Sequence, residues 1–221
     1  MKGLIFDMDG LMIDSERLYF QAERELAFRF GKVASDALLG RMMGRKGVES
    51  MEIFVRELGL PLTSEEALAL RTPIMRRLLA EDLRPMPGLG HILDAFFGRL
   101  KMAVATGASR KLLDIVVDRL GIREKFDLLL PSDSIKKGKP DPEIFLAACN
   151  GLGLPPAACV VLEDSENGAL AGKRAGCHVV AVPSEYSRHQ DFGAADIVVP
   201  DLFRAEEHIQ KFLVSSAPPA F

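Results

Sequence analysis

An α/β fold, with helices flanking a parallel sheet and a wholly helical segment inserted after its first strand, is predicted by three features of the sequence. Short runs that are apolar throughout recur along the chain, as strands buried on both faces do. Segments of helical periodicity separate them, the alternation expected of a parallel sheet. From about Asp14 to Leu83, by contrast, helical patterns follow one another with no convincing strand. Together these predict a discontinuous Rossmann-like core over 1–14 and 84–221, and a helical insert domain over 15–83.

The first strand is Leu4 to Phe6, a run that ends at acidic residues and Gly10. A helix follows in which Leu18, Ala22, Leu26 and Phe30 recur every four residues, with Asp14 or Ser15 able to cap its start and Gly31 to stop it. Met51, Phe54, Val55 and Leu58 mark a second helix ending at Gly59. Thr63 and Glu66 form a capping box for a third, through Leu79, which Pro73 is expected to kink or split. After Pro85-Met86-Pro87-Gly88 the strands read as Met102 to Ala105, Asp127 to Leu130, Val160 to Leu162, Val179 to Val182 and Ile197 to Val199. Helices fit between them, one carrying Leu112, Leu113, Val116, Val117 and Leu120 on a single face before Gly121. Ser215 to Phe221, with Pro218-Pro219, reads as a frayed tail.

Composition narrows the partners. The chain has 221 residues, of which 48% are hydrophobic and 27% charged, enough to bury a substantial core. Its net charge of −3, with no basic run longer than a pair, offers no footprint for nucleic acid or an anionic membrane. No apolar run approaches a membrane span, and the N-terminus reaches Asp7 too soon for a signal-peptide core, so a cytoplasmic, monomeric protein acting on a small molecule is expected. Cys149, Cys159 and Cys177 are odd in number, lie in apolar stretches and read as reduced core residues. The four histidines show no metal-ligand spacing and are assigned no chemistry.

Chemistry concentrates where strands end. Asp7 and Asp9 follow the first strand, Thr106 the second, and Glu163-Asp164 the one at Val160 to Leu162, while Lys139 sits in Gly138-Lys139-Pro140-Asp141-Pro142. Open parallel sheets bind ligands beyond the carboxyl ends of their strands, where the winding reverses. If the first strand is central, flanked by the second and fourth, all these groups converge. Alone, Asp7 and Asp9 beside Gly10 would read as turn carboxylates. Joined by Glu163 and Asp164 they become a repulsive group that needs a cation or a proton.

The pieces Phe6-Asp7-Met8-Asp9-Gly10, Ala105-Thr106-Gly107, Gly138-Lys139-Pro140-Asp141-Pro142 and Leu162-Glu163-Asp164-Ser165, in this order, resemble the haloacid dehalogenase superfamily over nearly the whole chain. The resemblance implies a phosphatase that works through an aspartyl-phosphate intermediate. Asp7 would be the nucleophile and Asp9 the general acid and base; an acidic residue there points to phosphoryl transfer, since a departing halide needs no proton. It also implies Mg2+, held by Asp7, Asp164 and the main-chain carbonyl of Asp9, with Glu163 behind them, and phosphate held by Thr106, Gly107 and Lys139.

The helical insert resembles the family's small mobile cap, and Gly40-Arg41-Met42-Met43-Gly44-Arg45-Lys46-Gly47 reads as a loop that could aim Arg45 or Lys46 at an anion. Glu16 and Tyr19 are further candidates to reach substrate, and Tyr186 to His189, after the fifth strand, read as loop that could edge the pocket. The stretch from Phe6 to Tyr19, with Met43-Gly44-Arg45, resembles the branch holding β-phosphoglucomutases, pseudouridine 5′-phosphatases and sugar-phosphate phosphatases. A sugar phosphate or nucleoside 5′-monophosphate is therefore the expected ester, with a phosphosugar mutase as the alternative. Against the mutase, the place of its arginine, three residues after Gly44, is Gly47. A phosphate-accepting signalling domain would carry its acceptor after the third strand, without a cap.

Overall fold

The computed structural model describes residues 1–43, 45 and 47–215; Ser215 closes the last helix, and the rest of the expected tail, 216–221, lies outside the described residues. Strands β1 (Gly3–Phe6), β2 (Lys101–Ala105), β3 (Leu128–Leu130), β4 (Cys159–Glu163), β5 (His178–Ala181) and β6 (Ile197–Val198) form one sheet in the order β3-β2-β1-β4-β5-β6. Every neighbouring pair is parallel. Each expected strand is present, its ends displaced by no more than one residue. β1 is central, with Phe6 level with Val104 of β2 and Leu162 of β4, so the winding reverses between β1 and β4.

Both faces of the sheet are buried, which is why its strands are apolar without alternation. Leu4, Phe6, Met102, Val104, Val160, Leu162 and Val180 belong to one cluster, shared with α5 (Leu89–Phe96), α6 (Arg110–Arg119) and α9 (Leu202–Ser215). Ile5, Ala103, Ala105, Val161 and Val179 belong to the other, under α7 (Glu143–Leu152) and α8 (Glu166–Ala175). The three cysteines are free and buried, as expected of core thiols. His178, at the amino end of β5, stacks on His208 of α9, away from the strand ends that matter below.

Between β1 and β2 run α1 (Glu16–Arg29), α2 (Asp36–Met42), α3 (Gly47–Leu58) and α4 (Ser64–Asp82), whose apolar faces continue the first cluster. Ser15 stands at the N-cap of α1 without making a capping bond. The Thr63 and Glu66 capping box forms on α4 as expected. Pro73 does not split that helix. Ala67 before it and Ile74, Met75, Leu78 and Leu79 after it are all buried, and this packing outweighs the roughly 3 kcal/mol a proline costs inside a helix.

α2 corrects the reading of Gly40 to Gly47 as a loop. Ser35 accepts a bond from the Leu38 amide, and burial of Leu38, Leu39 and Met42 overrides the poor propensity of Gly40. Between α2 and α3, Met43 and Arg45 are non-helical, and Gly44 and Lys46 lie outside the described residues. The two connections to the core run side by side: the Asp14 amide donates to the Arg84 carbonyl at 3.0 Å and the Met86 amide to the Met12 carbonyl at 2.9 Å. Among the described residues no helix is long and apolar enough to cross a membrane.

Candidate active site

The register that centres β1 carries Asp7 to the mouth of the sheet, where its amide donates to the Leu162 carbonyl at 3.0 Å. The chain then turns on Gly10, at φ 79°, and the bonds from the Met12 and Ile13 amides to the Met8 carbonyl fold it back toward α1. No side chain fits at Gly10: a Cβ there would overlap the carboxylates of Asp164 and Glu16. The turn thus presses the start of α1 against the end of β4, and Glu16 joins the acidic group.

Lys139 stands at its centre. The ammonium group donates to both Asp7 and Glu163, and all three side chains are buried. The loop that brings it there is held by Glu143, whose carboxylate accepts from the Lys136 and Lys137 amides at 2.8 and 2.9 Å. Glu163 is fully engaged, because its other oxygen accepts from the Ser165 amide at 3.2 Å and from the Ser165 hydroxyl at 3.0 Å. Ser165 also caps α8 by accepting from the Gly168 amide. Thr106 donates to Asp9 at 3.2 Å and accepts from the Ala108 amide at 3.0 Å.

One ammonium does not neutralise five carboxyls. Burial pushes Asp7 up to about 8, with Lys139 pulling down and Glu163 and Asp9 pushing up. Burial also raises Asp9, against the pull of Thr106 and Lys139. Glu16 is raised well above the carboxylate range by burial first and then by Asp9, and Asp164 likewise by burial first and then by Glu16 and Glu163. Burial works against the Lys139 charge too, but Asp7 and Glu163 more than restore it. One Glu16 oxygen is buried without a hydrogen-bond partner.

Such a set suits a hard divalent cation. Asp7, Glu163 and Asp164 each offer an oxygen within 4.8 Å of the others, and with Glu163 tied to Lys139 and Ser165, Asp7 and Asp164 are the two left to bind. Two carboxylates and few other protein oxygens match magnesium, which keeps several of its waters. Ser187, in the loop after β5, lies 3.5 Å from Asp164, so the stretch from Tyr186 to His189 is loop that also reaches the acidic group.

Above the carboxyls opens a cavity of about 200 Å³, lined on one side by Asp7, Asp9, Gly107, Lys139 and Asp164 and on the other by α1 to α4. Glu16 and Tyr19 both line it. The main chain of Arg45 comes down over Gly107, but its side chain is exposed and its Nε donates to the Arg41 carbonyl at 3.1 Å. Lys46 lies outside the described residues. Two residues not singled out in the sequence also line the cavity: Glu23 and Arg71, a buried pair 3.3 Å apart, with the Arg71 guanidinium over the Tyr19 ring at 5.0 Å. Glu23 follows Glu16 and Tyr19 on one helix face, and Arg71 interrupts the apolar stripe of Ala67, Ile74 and Leu78; those were the available signals.

A protein-family model for haloacid dehalogenase-like hydrolases matches residues 1–176. A phosphorylated carbohydrates phosphatase of Thermotoga maritima is 35% identical over 177 residues, covering 80% of this chain and 82% of that one. The crystal structure of a putative β-phosphoglucomutase from the same organism superposes with a TM-score of 0.72 at 31% identity, over 98% of this chain and 100% of that one. That of a variant of CbbY from Rhodobacter sphaeroides, in complex with xylulose-(1,5)bisphosphate, gives 0.85 at 27% identity, over 91% and 95%.

Two outcomes are expected. Without a divalent cation, folded Asp7 keeps a proton up to about pH 8 that the unfolded chain gives up near 3.8, so the folded state binds more protons across that window. Stability should therefore fall as pH rises from 5 to 8 in chelator, and added Mg2+ should raise the melting temperature more at pH 8 than at pH 5. Equal Mg2+ shifts at both would contradict this. Second, glycine to alanine inside a helix ordinarily stabilises by about 1 kcal/mol, but a Cβ at Gly168 would overlap the Glu163 carboxylate. Gly168→Ala should instead lose about 1–3 kcal/mol in urea unfolding, together with most activity.

Proposed function

The chain belongs to the haloacid dehalogenase-like hydrolases and is a phosphoric monoester hydrolase among them; from this premise we propose that Asp7 and Asp9 hydrolyse a small phosphorylated carbohydrate in two steps. The observation that carries the reading is the convergence of Asp7, Asp164 and Lys139 at the carboxyl ends of β1 and β4, with Asp9 two residues beyond Asp7 and bonded to Thr106.

In the first step an Asp7 oxygen attacks phosphorus, the bond from phosphorus to the ester oxygen breaks, and Asp9 gives its proton to the departing alcohol. In the second, water attacks the aspartyl phosphate, Asp9 takes the water's proton, and the Asp7 carboxylate returns as inorganic phosphate leaves. Asp9 is suited to both roles because burial lifts its carboxyl toward the range where it holds a proton and can still give it up. Thr106 and the main chain at Gly107 hold the phosphoryl oxygens, and Lys139 keeps Asp7 oriented while offsetting charge at the reacting centre. Magnesium, held by Asp7, Asp164 and the Asp9 carbonyl, would supply the screening that lets one anion approach another.

Helices α1 to α4 serve as the cap: they roof the cavity and are joined to the core by two adjacent connections, the layout of a lid that closes over a phosphorylated metabolite and excludes bulk water. A nucleoside 5′-monophosphate would also fit this chemistry. The protein carries out this reaction without nucleic acid or membrane, and a cytoplasmic monomer suffices for it.

Phosphate release with Mg2+ over a panel of hexose, triose and nucleoside monophosphates should show turnover that chelator abolishes and Mg2+ restores. Asp7→Asn should lose at least about a thousandfold in kcat, as removal of a covalent nucleophile does. Substantial turnover by that variant would exclude Asp7 from the chemistry. Sugar phosphate isomerisation that depends on a bisphosphate primer, without net phosphate release, would favour a mutase.

A further inference from the structure

Resting on that reading, we propose that the buried Glu23–Arg71 pair is the specificity element of the cavity, admitting phosphate esters of neutral polyhydroxylated alcohols and rejecting those with a second anionic group. Glu23 comes from α1 and Arg71 from α4, and both line the cavity that Asp7 and Asp9 close at the other end. Arg71 is 5% exposed, yet its Nε is without a hydrogen-bond partner. A guanidinium has five donors in a rigid fork, and a buried one left over asks for an acceptor from the ligand or from water. The Tyr19 ring lies against its face, and its Nη2 lies 3.4 Å from where a Cβ on Gly47 would be.

Charge decides which acceptor suits it. The Arg71 cation is already matched by Glu23, 3.3 Å away and equally buried. A second phosphate taken by the free Nε–H of Arg71 would have to sit beside the buried Glu23 carboxylate, whose charge already uses up that of the guanidinium, so the added dianion would be buried unmatched. A further dianion would also enter a cavity walled by Asp9, Glu16 and Asp164. A hydroxyl meets neither obstacle: it accepts from Arg71 Nε–H and donates to Glu23 while the pair stays intact. Gly47 contributes no side chain here, and Arg45, which also lines the cavity, is exposed and directs its Nε to the Arg41 carbonyl. The apolar neighbours Leu39, Met42, Val48 and Leu68 cover the carbon skeleton.

The test compares fructose 1-phosphate with fructose 1,6-bisphosphate, which differ only in the second phosphate, using wild type, Glu23→Gln and Arg71→Gln with Mg2+. Wild type should prefer the monophosphate by about tenfold or more in kcat/KM, the worth of a hydrogen bond to a charged group. Glu23→Gln leaves Arg71 unmatched and should move the ratio about tenfold toward the bisphosphate, through KM. Arg71→Gln should raise KM for the monophosphate without gaining the bisphosphate. A wild-type preference for the bisphosphate overturns the proposal whether or not either variant folds. So does an unchanged ratio in a Glu23→Gln protein with a native circular dichroism spectrum. If wild type releases phosphate from neither ester nor from any other member of the panel above, the phosphatase reading is what fails, and dissociation constants of the two esters from calorimetry still decide the selectivity.

Discussion

The ammonium group of Lys139, bonded at once to Asp7 and Glu163, is the interaction on which the rest of this structure depends. Removing one partner from such a buried pair costs about 3–5 kcal/mol, because the charge left behind has no water to turn to. Here the imbalance is sharper, since Asp9, Glu16 and Asp164 share the same small space. The sheet brings these groups together through its register, and only a cation can hold them there as anions. Structural stability and readiness for chemistry are therefore the same electrostatic problem at this end of the molecule.

Much of the surrounding architecture keeps that ammonium in place. Glu143 ties down the two amides ahead of Gly138, so the lysine enters from a braced loop. Ser165 engages one Glu163 oxygen while capping α8, which couples the helix start to the ion pair. Gly168 leaves the carboxylate room to lie against the helix. Glu163 contributes by fixing Lys139, and that frees Asp7 and Asp164 to face outward.

The sheet and the groups at its strand ends were legible because a buried parallel strand is uniformly apolar and stops abruptly. Asp7, Thr106 and Asp164 each stand just beyond such a stop, so one assumption, that β1 is central, was enough to bring them together. The helices were harder to read. α2 was missed because Gly40 masks a short segment whose stability comes from the burial of Leu38, Leu39 and Met42, a tertiary effect that propensity does not record. Glu23 and Arg71 were overlooked for a related reason: a charged residue on a helix is usually solvated, and only packing of α1 on α4 shows that these two are not. The position of Gly47 was noticed for the side chain it lacks, whereas its consequence, the close approach of Leu68 and Arg71 to the backbone there, depends on a helix some twenty residues further along.

Charge is treated in opposite ways at the two ends of the cavity. The core end is left unbalanced, with carboxyls in excess, which suits it to the cation and the single phosphoryl group of the proposed reaction. The helical end is balanced internally, with Arg71 answered by Glu23, so it offers donors and acceptors but almost no net field. A ligand that satisfies both must be polar and neutral where it meets the helices and dianionic where it meets Asp7. On the proposed function, catalysis would depend on the first end through residues that the sheet positions, and selectivity on the second through residues that helix packing positions. Substitutions in α1 and α4 can thus retune which alcohol is released without disturbing the ion pair that makes release possible.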